Sequence, residues 1–227
     1  MQFHQYSQHD QPSTNDISSQ EQVLSVCCSS PELFLSVSST GSVESKPIKG
    51  TIARDLSSNE FDQHRIHQLK TSCKSFSENL MIVDLIRNDL SQLCERNSVQ
   101  VTKLMDIESY STVHQMVSTV QGQLLNQHSA IDCLATSFPP GSMTGAPKLR
   151  SCQLLHQLEQ APRGIYSGCA GYLSLKGSLS LNVLIRTITV EQTIDKSNGL
   201  SINNKVAIGI GGAIIHLSQP EEEYEET

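Results

Sequence analysis

The stretch Glu78-Asn79-Leu80-Met81-Ile82-Val83-Asp84-Leu85-Ile86-Arg87-Asn88-Asp89-Leu90 decides the fold of this chain. Its apolar residues Leu80, Val83, Ile86 and Leu90 fall at helical spacing, and the pattern runs back through Cys73, Leu69 and Ile66 and on to Leu93. Residues 64–93 therefore predict two helices, or one helix kinked near residues 75–77. Ser57 or Ser58 can cap the first, with Glu60 adding favourable charge to its first turn. Asp84, Arg87 and Asn88 share one helical face, which predicts a local network of ion pairs and hydrogen bonds. Glu78 is offset toward the helix start and is free to face a different site.

Strands flank this helical block on both sides. Residues 23–26 and 33–37 read as short strands, and residues 43–46 continue toward Pro47, giving a hairpin that ends in a Pro-marked loop. Residues 99–104 alternate like a strand, whereas 112–120 mix the two periods and leave their type open. Residues 126–134 and 146–158 read as helices, Pro147 being tolerated in a first turn. A β-rich tail over 169–175, 179–190 and 206–215 completes the chain. Strands and helices without strict βαβ alternation predict an α+β fold.

Composition limits what such a fold can do. The 227 residues are 37% hydrophobic and 4% aromatic, a length that suits one globular domain. The longest apolar run, residues 80–83, falls far short of the ~18 residues a membrane helix needs. Sixteen Lys+Arg against 23 Asp+Glu, with no basic cluster, argue against nucleic acid as a partner. Residues 1–20 are rich in Gln, Ser and His and are expected to be disordered, leaving residues 21–227 as the folded domain. They contain no apolar core of a secretory signal. The seven scattered cysteines lack metal-ligand spacing and read as reduced thiols of a cytoplasmic protein.

Several clusters carry chemistry. In Pro47-Ile48-Lys49-Gly50-Thr51, the proline fixes the backbone, the glycine allows close approach to a ligand, and the threonine offers a hydroxyl. A desolvated Lys49 would lose its proton and become a nucleophile or base; otherwise it is a solvated loop lysine. Ser142-Met143-Thr144-Gly145-Ala146-Pro147-Lys148 is a loop feeding a helix, where backbone N–H groups attract anions. Gly209-Ile210-Gly211-Gly212-Ala213 places glycines in an apolar strand, a sign of close backbone approach. The acidic run Glu221-Glu222-Glu223-Tyr224-Glu225-Glu226-Thr227 reads alone as a solvated tail. If it opens a helix, Glu223 and Glu226 lie three apart, a spacing that suits Mg²⁺.

Taken in order, Ser30-Pro31-Glu32-Leu33-Phe34, the Pro47–Thr51 cluster, the Glu78–Leu90 stretch, Thr112-Val113-His114-Gln115-Met116-Val117-Ser118, the Ser142–Lys148 loop, Ile185-Arg186-Thr187 and the terminal acidic run resemble the chorismate-utilising enzymes. That family includes anthranilate synthase component I, aminodeoxychorismate synthase component I, and the isochorismate and salicylate synthases. The resemblance covers residue 23 to the end and implies packed antiparallel β-sheets flanked by helices, with the site between the sheets. Relatives carry a long N-terminal half and continue beyond Glu226 as a helix, so this chain is expected to hold the later part of that domain.

The resemblance also implies roles. Lysine in the Pro-Ile-x-Gly-Thr motif, here Lys49, marks the aminodeoxychorismate branch, where anthranilate synthases typically carry alanine. Lys49 would attack C2 of chorismate as the C4 hydroxyl departs. Ammonia would then add at C4 and expel the lysine, leaving 4-amino-4-deoxychorismate for p-aminobenzoate and folate synthesis. Glu32 would be the general acid, while Glu78 and Glu226, with Glu223 beside them, would hold Mg²⁺ against the C1 carboxylate. Tyr166 and Arg186 match substrate-binding positions, and Gly50, Thr51, Gly211, Gly212 and Ala213 match the backbone cradle. His114 matches a histidine near the reacting ring, with either an elimination role or an orienting one. Ammonia would come from a glutamine amidotransferase subunit or fused domain. The alternatives are an anthranilate or isochorismate synthase, and a non-catalytic remnant. Three departures stand out: the uncharged residues around Lys74 before Glu78, Ser180 and Leu217 where aspartate is common, and residues 193–205, which read as a surface insertion.

Overall fold

A computed structural model of the chain describes residues 2–4 and 20–226. Of the segment expected to be disordered, residues 1 and 5–19 lie outside the described residues, and Gln2–His4 forms a strand. The chain divides into two compact units, Met1–Ser30 with Leu184–Ile210, and Pro31–Val183 with Gly211–Thr227.

The smaller unit is an antiparallel sheet in the order β1-β2-β10-β11. Its strands are β1 (Gln2–His4), β2 (Gln20–Cys28), β10 (Thr187–Asp195) and β11 (Ser201–Ile208). β2 and β10 pair without interruption from Cys28 opposite Thr187 to Gln20 opposite Asp195. The tract expected as a surface insertion is the tip of the β10–β11 hairpin, with strand on both sides of its turn. β11 ends at Ile208, so the Gly209–Ala213 cluster follows a strand instead of lying within one.

The larger unit holds a second antiparallel sheet in the order β5-β7-β4-β3-β9-β8, with β6 on the free edge of β7. Its strands are β3 (Leu33–Val37), β4 (Ser42–Lys46), β5 (Ile48–Ala53), β6 (Gln100–Ser109), β7 (Val113–Gln123), β8 (Cys169–Leu173) and β9 (Leu179–Val183). β4 and β5 line the same edge of β7, pairing with residues 120–123 and 113–117 respectively. Pro47 stands between them, and its carbonyl accepts the Ser118 N–H at 3.1 Å. The expected loop is therefore an extended edge interrupted once, where proline has no N–H to offer the ladder.

Six helices complete the described chain: α1 (Asn59–Lys70), α2 (Cys73–Ser91), α3 (Ala130–Ser137), α4 (Gly141–Thr144), α5 (Lys148–Glu159) and α6 (Pro220–Glu226). Ser58 caps α1 by accepting the Phe61 N–H, and Ser72 caps α2 by accepting the Ser75 N–H. The break between these helices lies at Thr71-Ser72, ahead of the expected kink. α2 turns Ile82, Val83, Leu85 and Leu90 inward, and the core around them includes Leu35, Val43, Met116, Val120 and Leu179. Glu78, Asn79 and Asp89 are buried on α2, whereas Leu80 is 46% exposed. Ser118 Oγ donates to Asn79 Oδ1, giving one of these buried polar groups a partner on β7. No helix among the described residues is long and apolar enough to cross a membrane.

Candidate active site

Glu32, in the turn before β3, is anchored through its main chain, its carbonyl accepting the Val183 N–H at 3.1 Å. Its side chain is 6% exposed and lines a cavity of about 20 Å³ with Ser45, Asp89, Ser137 and Ser142. Burial pushes the Glu32 carboxyl above the usual carboxylate range; a hydrogen bond from Ser142 and the charge of Lys49 oppose that rise without cancelling it. Lys49 is half-buried on β5. Three separate sequence segments thus bring an acid, an amine and a hydroxyl to one locality. Lys148 steadies the Ser142 loop from the far end, donating to Asp89 Oδ2 at 2.7 Å and to the Ser137 carbonyl at 2.6 Å.

Gly50 has φ +90°, a conformation L side chains rarely adopt. An added Cβ would lie 2.8 Å from both Leu69 Cδ1 and Ser75 Oγ. The close approach at Gly50 is therefore to α1 and α2 on that side. Thr51 is exposed and receives a 3.4 Å hydrogen bond from Gln115 Nε2.

Strand alternation on β7 separates His114 from Gln115. His114 is fully buried, with Nε2 2.9 Å from Asp62 Oδ1 and Nδ1 2.8 Å from Ser109 Oγ. Asp62 is in turn held by Arg54 through Nε and Nη2, and by the Asp55 N–H. Both ring nitrogens of His114 are thus engaged by protein groups. Arg54 holds the Asp62 carboxyl down at about 2 against the opposing effect of burial, helped by His114 and Asp55. Because an unfolded aspartate titrates near ~3.9, Asp62 contributes stability above that pH and loses it as pH falls toward 2. Urea unfolding is expected to show a constant gap between wild type and Asp62→Asn at neutral pH. That gap should close between about pH 4 and pH 2; one that persists to pH 2 would show that Asp62 is not the group titrating.

Tyr166 is half-buried, with its hydroxyl 2.9 Å from where a Gly211 Cβ would lie. Glycine is what lets the chain pass beneath that phenol. Arg163 sits 5.9 Å from the Tyr166 ring centroid and donates to the Met143 carbonyl at 2.7 Å and Ser167 Oγ at 3.0 Å. It thereby links the Ser142 loop to Tyr166, a role no spacing in the sequence announces. Gly212 is exposed and Ala213 half-buried in the segment leading to α6. Arg186 belongs to the smaller unit, exposed, with φ +49° and its carbonyl accepting the Ser29 N–H.

The acidic run forms α6, with Glu223 6% exposed while Glu221 and Glu222 face solvent. Glu223 Oε1 lies 2.6 Å from Lys74 Nζ, and Lys74 followed by a Ser218 hydrogen bond pulls its carboxyl below the usual range. Glu78 is also buried, one turn along α2 from Lys74. Among the described residues no three Asp, Glu, His or Cys side chains group as a metal site, and the Glu226 side chain is not among those described. The donor chemistry nevertheless fits a hard divalent cation at Glu78, whose buried carboxylate offers oxygen, while the Glu223 carboxylate is engaged by Lys74.

The sequence profile of the chorismate binding enzymes matches residues 1–227. The chain is 51% identical over 203 residues to the probable aminodeoxychorismate synthase, chloroplastic, of Oryza sativa subsp. japonica, covering 89% of this chain and 21% of that protein. It is 39% identical over 198 residues to aminodeoxychorismate synthase component 1 of Escherichia coli, covering 87% of this chain and 41% of that one. The crystal structure of anthranilate synthase component I from Streptococcus pneumoniae superimposes with a TM-score of 0.69 at 31% identity, covering 93% of this chain and 42% of that chain. The chain thus spans roughly a fifth to two-fifths of these proteins, and it belongs to the chorismate binding enzymes.

Proposed function

We propose that this chorismate binding chain carries the catalytic residues of an aminodeoxychorismate synthase, joining chorismate and ammonia to give 4-amino-4-deoxychorismate and water. The observation that carries the reading is the buried Glu32 carboxyl, its pKa raised by burial against the opposing charge of Lys49, the residue that marks this branch. The relatives named for this activity support it.

In this reading Lys49, once deprotonated, attacks C2 of chorismate while Glu32 protonates the departing C4 oxygen, which leaves as water. Ammonia then bonds to C4 and the C2–N bond to Lys49 breaks, returning the amine. Ser142 holds the Glu32 carboxyl in place. Thr51, oriented by Gln115, Tyr166 over Gly211, and the segment through Gly212 and Ala213 shape the substrate cradle, with Gly50 fixing the turn of β5. Arg186 matches a position that binds substrate in relatives, where a guanidinium suits a carboxylate, and His114 orients β7 through Asp62. Glu78 and Glu226, with Glu223 beside them, would hold Mg²⁺, which when bound neutralises the substrate carboxylate.

Ammonia would be delivered by a glutamine amidotransferase partner, as the name "component 1" of the Escherichia coli relative suggests. All seven cysteines are free, which suits a reducing compartment such as the cytoplasm; the rice relative is named chloroplastic. Incubation with chorismate, Mg²⁺ and ammonium is expected to give aminodeoxychorismate as the main product by chromatography. Anthranilate or isochorismate as the main product would overturn the branch assignment. Absence of saturable chorismate binding by the folded chain would favour a non-catalytic role.

A further inference from the structure

Glu221, Glu222 and Glu223 stand in the first turn of α6 and suit its positive N-terminal end. Tyr224, its one aromatic, is 85% exposed and contributes no anchor. Among the described side chains of the helix Glu223 is the buried one, and it meets Lys74 at 2.6 Å. Lys74 stands in the first turn of α2, one turn before buried Glu78.

We infer that Lys74 is a positioning residue whose ion pair with Glu223 fastens α6 to α2, so that Glu223 is half of a latch and not itself a ligand to the metal. The pair joins α6 to α2, the helix carrying Glu78; on the magnesium reading above, Glu78 and Glu226 are the carboxylates that would coordinate the ion. The coordination half of this inference rests on the magnesium reading above; the latch half does not. Only the carboxylate of the pair is buried, Lys74 being 29% exposed and Glu223 6%; removing Lys74 leaves that buried carboxylate without this cation, whereas replacing both partners by apolar groups of similar volume is often tolerated. That asymmetry separates a latch from a ligand.

The test uses hydrogen exchange of the α6 amides without metal, and calorimetric titration with Mg²⁺, on wild type, Lys74→Met, Lys74→Arg and the double variant Lys74→Met/Glu223→Met. Exchange in β7 reports whether each variant retains its fold. Lys74→Met is expected to lose α6 protection and weaken Mg²⁺ binding, each by about tenfold or more. Lys74→Arg should keep both, and the double variant should regain both. Unchanged α6 protection in Lys74→Met would overturn the latch. A double variant that regains protection but not Mg²⁺ binding would make Glu223 a ligand and overturn that half. If wild type binds no Mg²⁺ while α6 protection still follows the pair, the magnesium reading fails and the latch is supported.

Discussion

Glu32→Gln is expected to lower kcat with chorismate and ammonia by about 10²–10⁴-fold, the range a positioned general acid contributes. The substitution keeps the shape and can still accept from Ser142, but it has no proton to release to the departing oxygen. It should also stabilise the protein at higher pH. Burial raises the folded-state pKa of Glu32 above its unfolded value, so the wild type loses stability as pH rises through the folded value and a buried carboxylate forms. Glutamine stays neutral across that window and avoids the loss. Activity falling while stability above the ordinary carboxylate range rises is the signature of a carboxyl kept for chemistry at a cost in stability. Stopped assays with unfolding curves at a series of pH values above that range read both. Retention of more than a tenth of wild-type kcat would remove Glu32 from the acid role, whatever the stability result.

Burial also decides which features were readable in the sequence. The spacing of Val83, Ile86 and Leu90 predicts α2 because a helix with one wet face needs such a stripe. It misjudges Leu80, which lies exposed while Glu78 and Asn79 turn inward, because part of this helix buries polar groups that need partners. β7 leaves no readable period for a related reason. Residues 114–120 are all buried, so the strand is covered on both faces and alternation disappears. Pro47 suggests a loop because proline usually ends pairing; here it falls between two pairings on one edge of β7, where its missing N–H costs little.

Motif order names Glu32, Lys49 and Glu223, but not the groups that hold them. Asp62 and Arg54 lie eight residues apart and pair, and Asp62 meets His114 on another element. Arg163 reaches Met143 across a helix and a loop. Such partners are brought together only by tertiary structure, and no local spacing encodes them. Lys74 is the exception. Its place one turn before Glu78 is a helical i, i+4 relation visible in the sequence, although its bond to Glu223 on α6 is not.

Lys49→Ala should lower aminodeoxychorismate formation by at least ~10³-fold, because both the bond to C2 and its later release are lost and the substitution must proceed in one difficult step. Charge and nucleophilicity are separable at this position. Lys49→Arg keeps a cation beside Glu32, yet guanidinium does not deprotonate in proteins and cannot attack carbon. Arginine should therefore be about as inactive as alanine. The two variants should differ in the residual pH profile. The Lys49 charge opposes the rise in the Glu32 pKa, so alanine lets that pKa climb and moves the alkaline limb of residual activity to higher pH. Arginine should hold the limb nearer its wild-type position. An added small primary amine should restore part of the rate to Lys49→Ala by occupying the vacated volume as an external nucleophile. Restoration by arginine to more than a tenth of wild type would show that the charge alone suffices and would end the covalent role. A shift of the alkaline limb in Lys49→Ala without rescue by amine would retain the coupling to Glu32 and leave Lys49 an electrostatic residue.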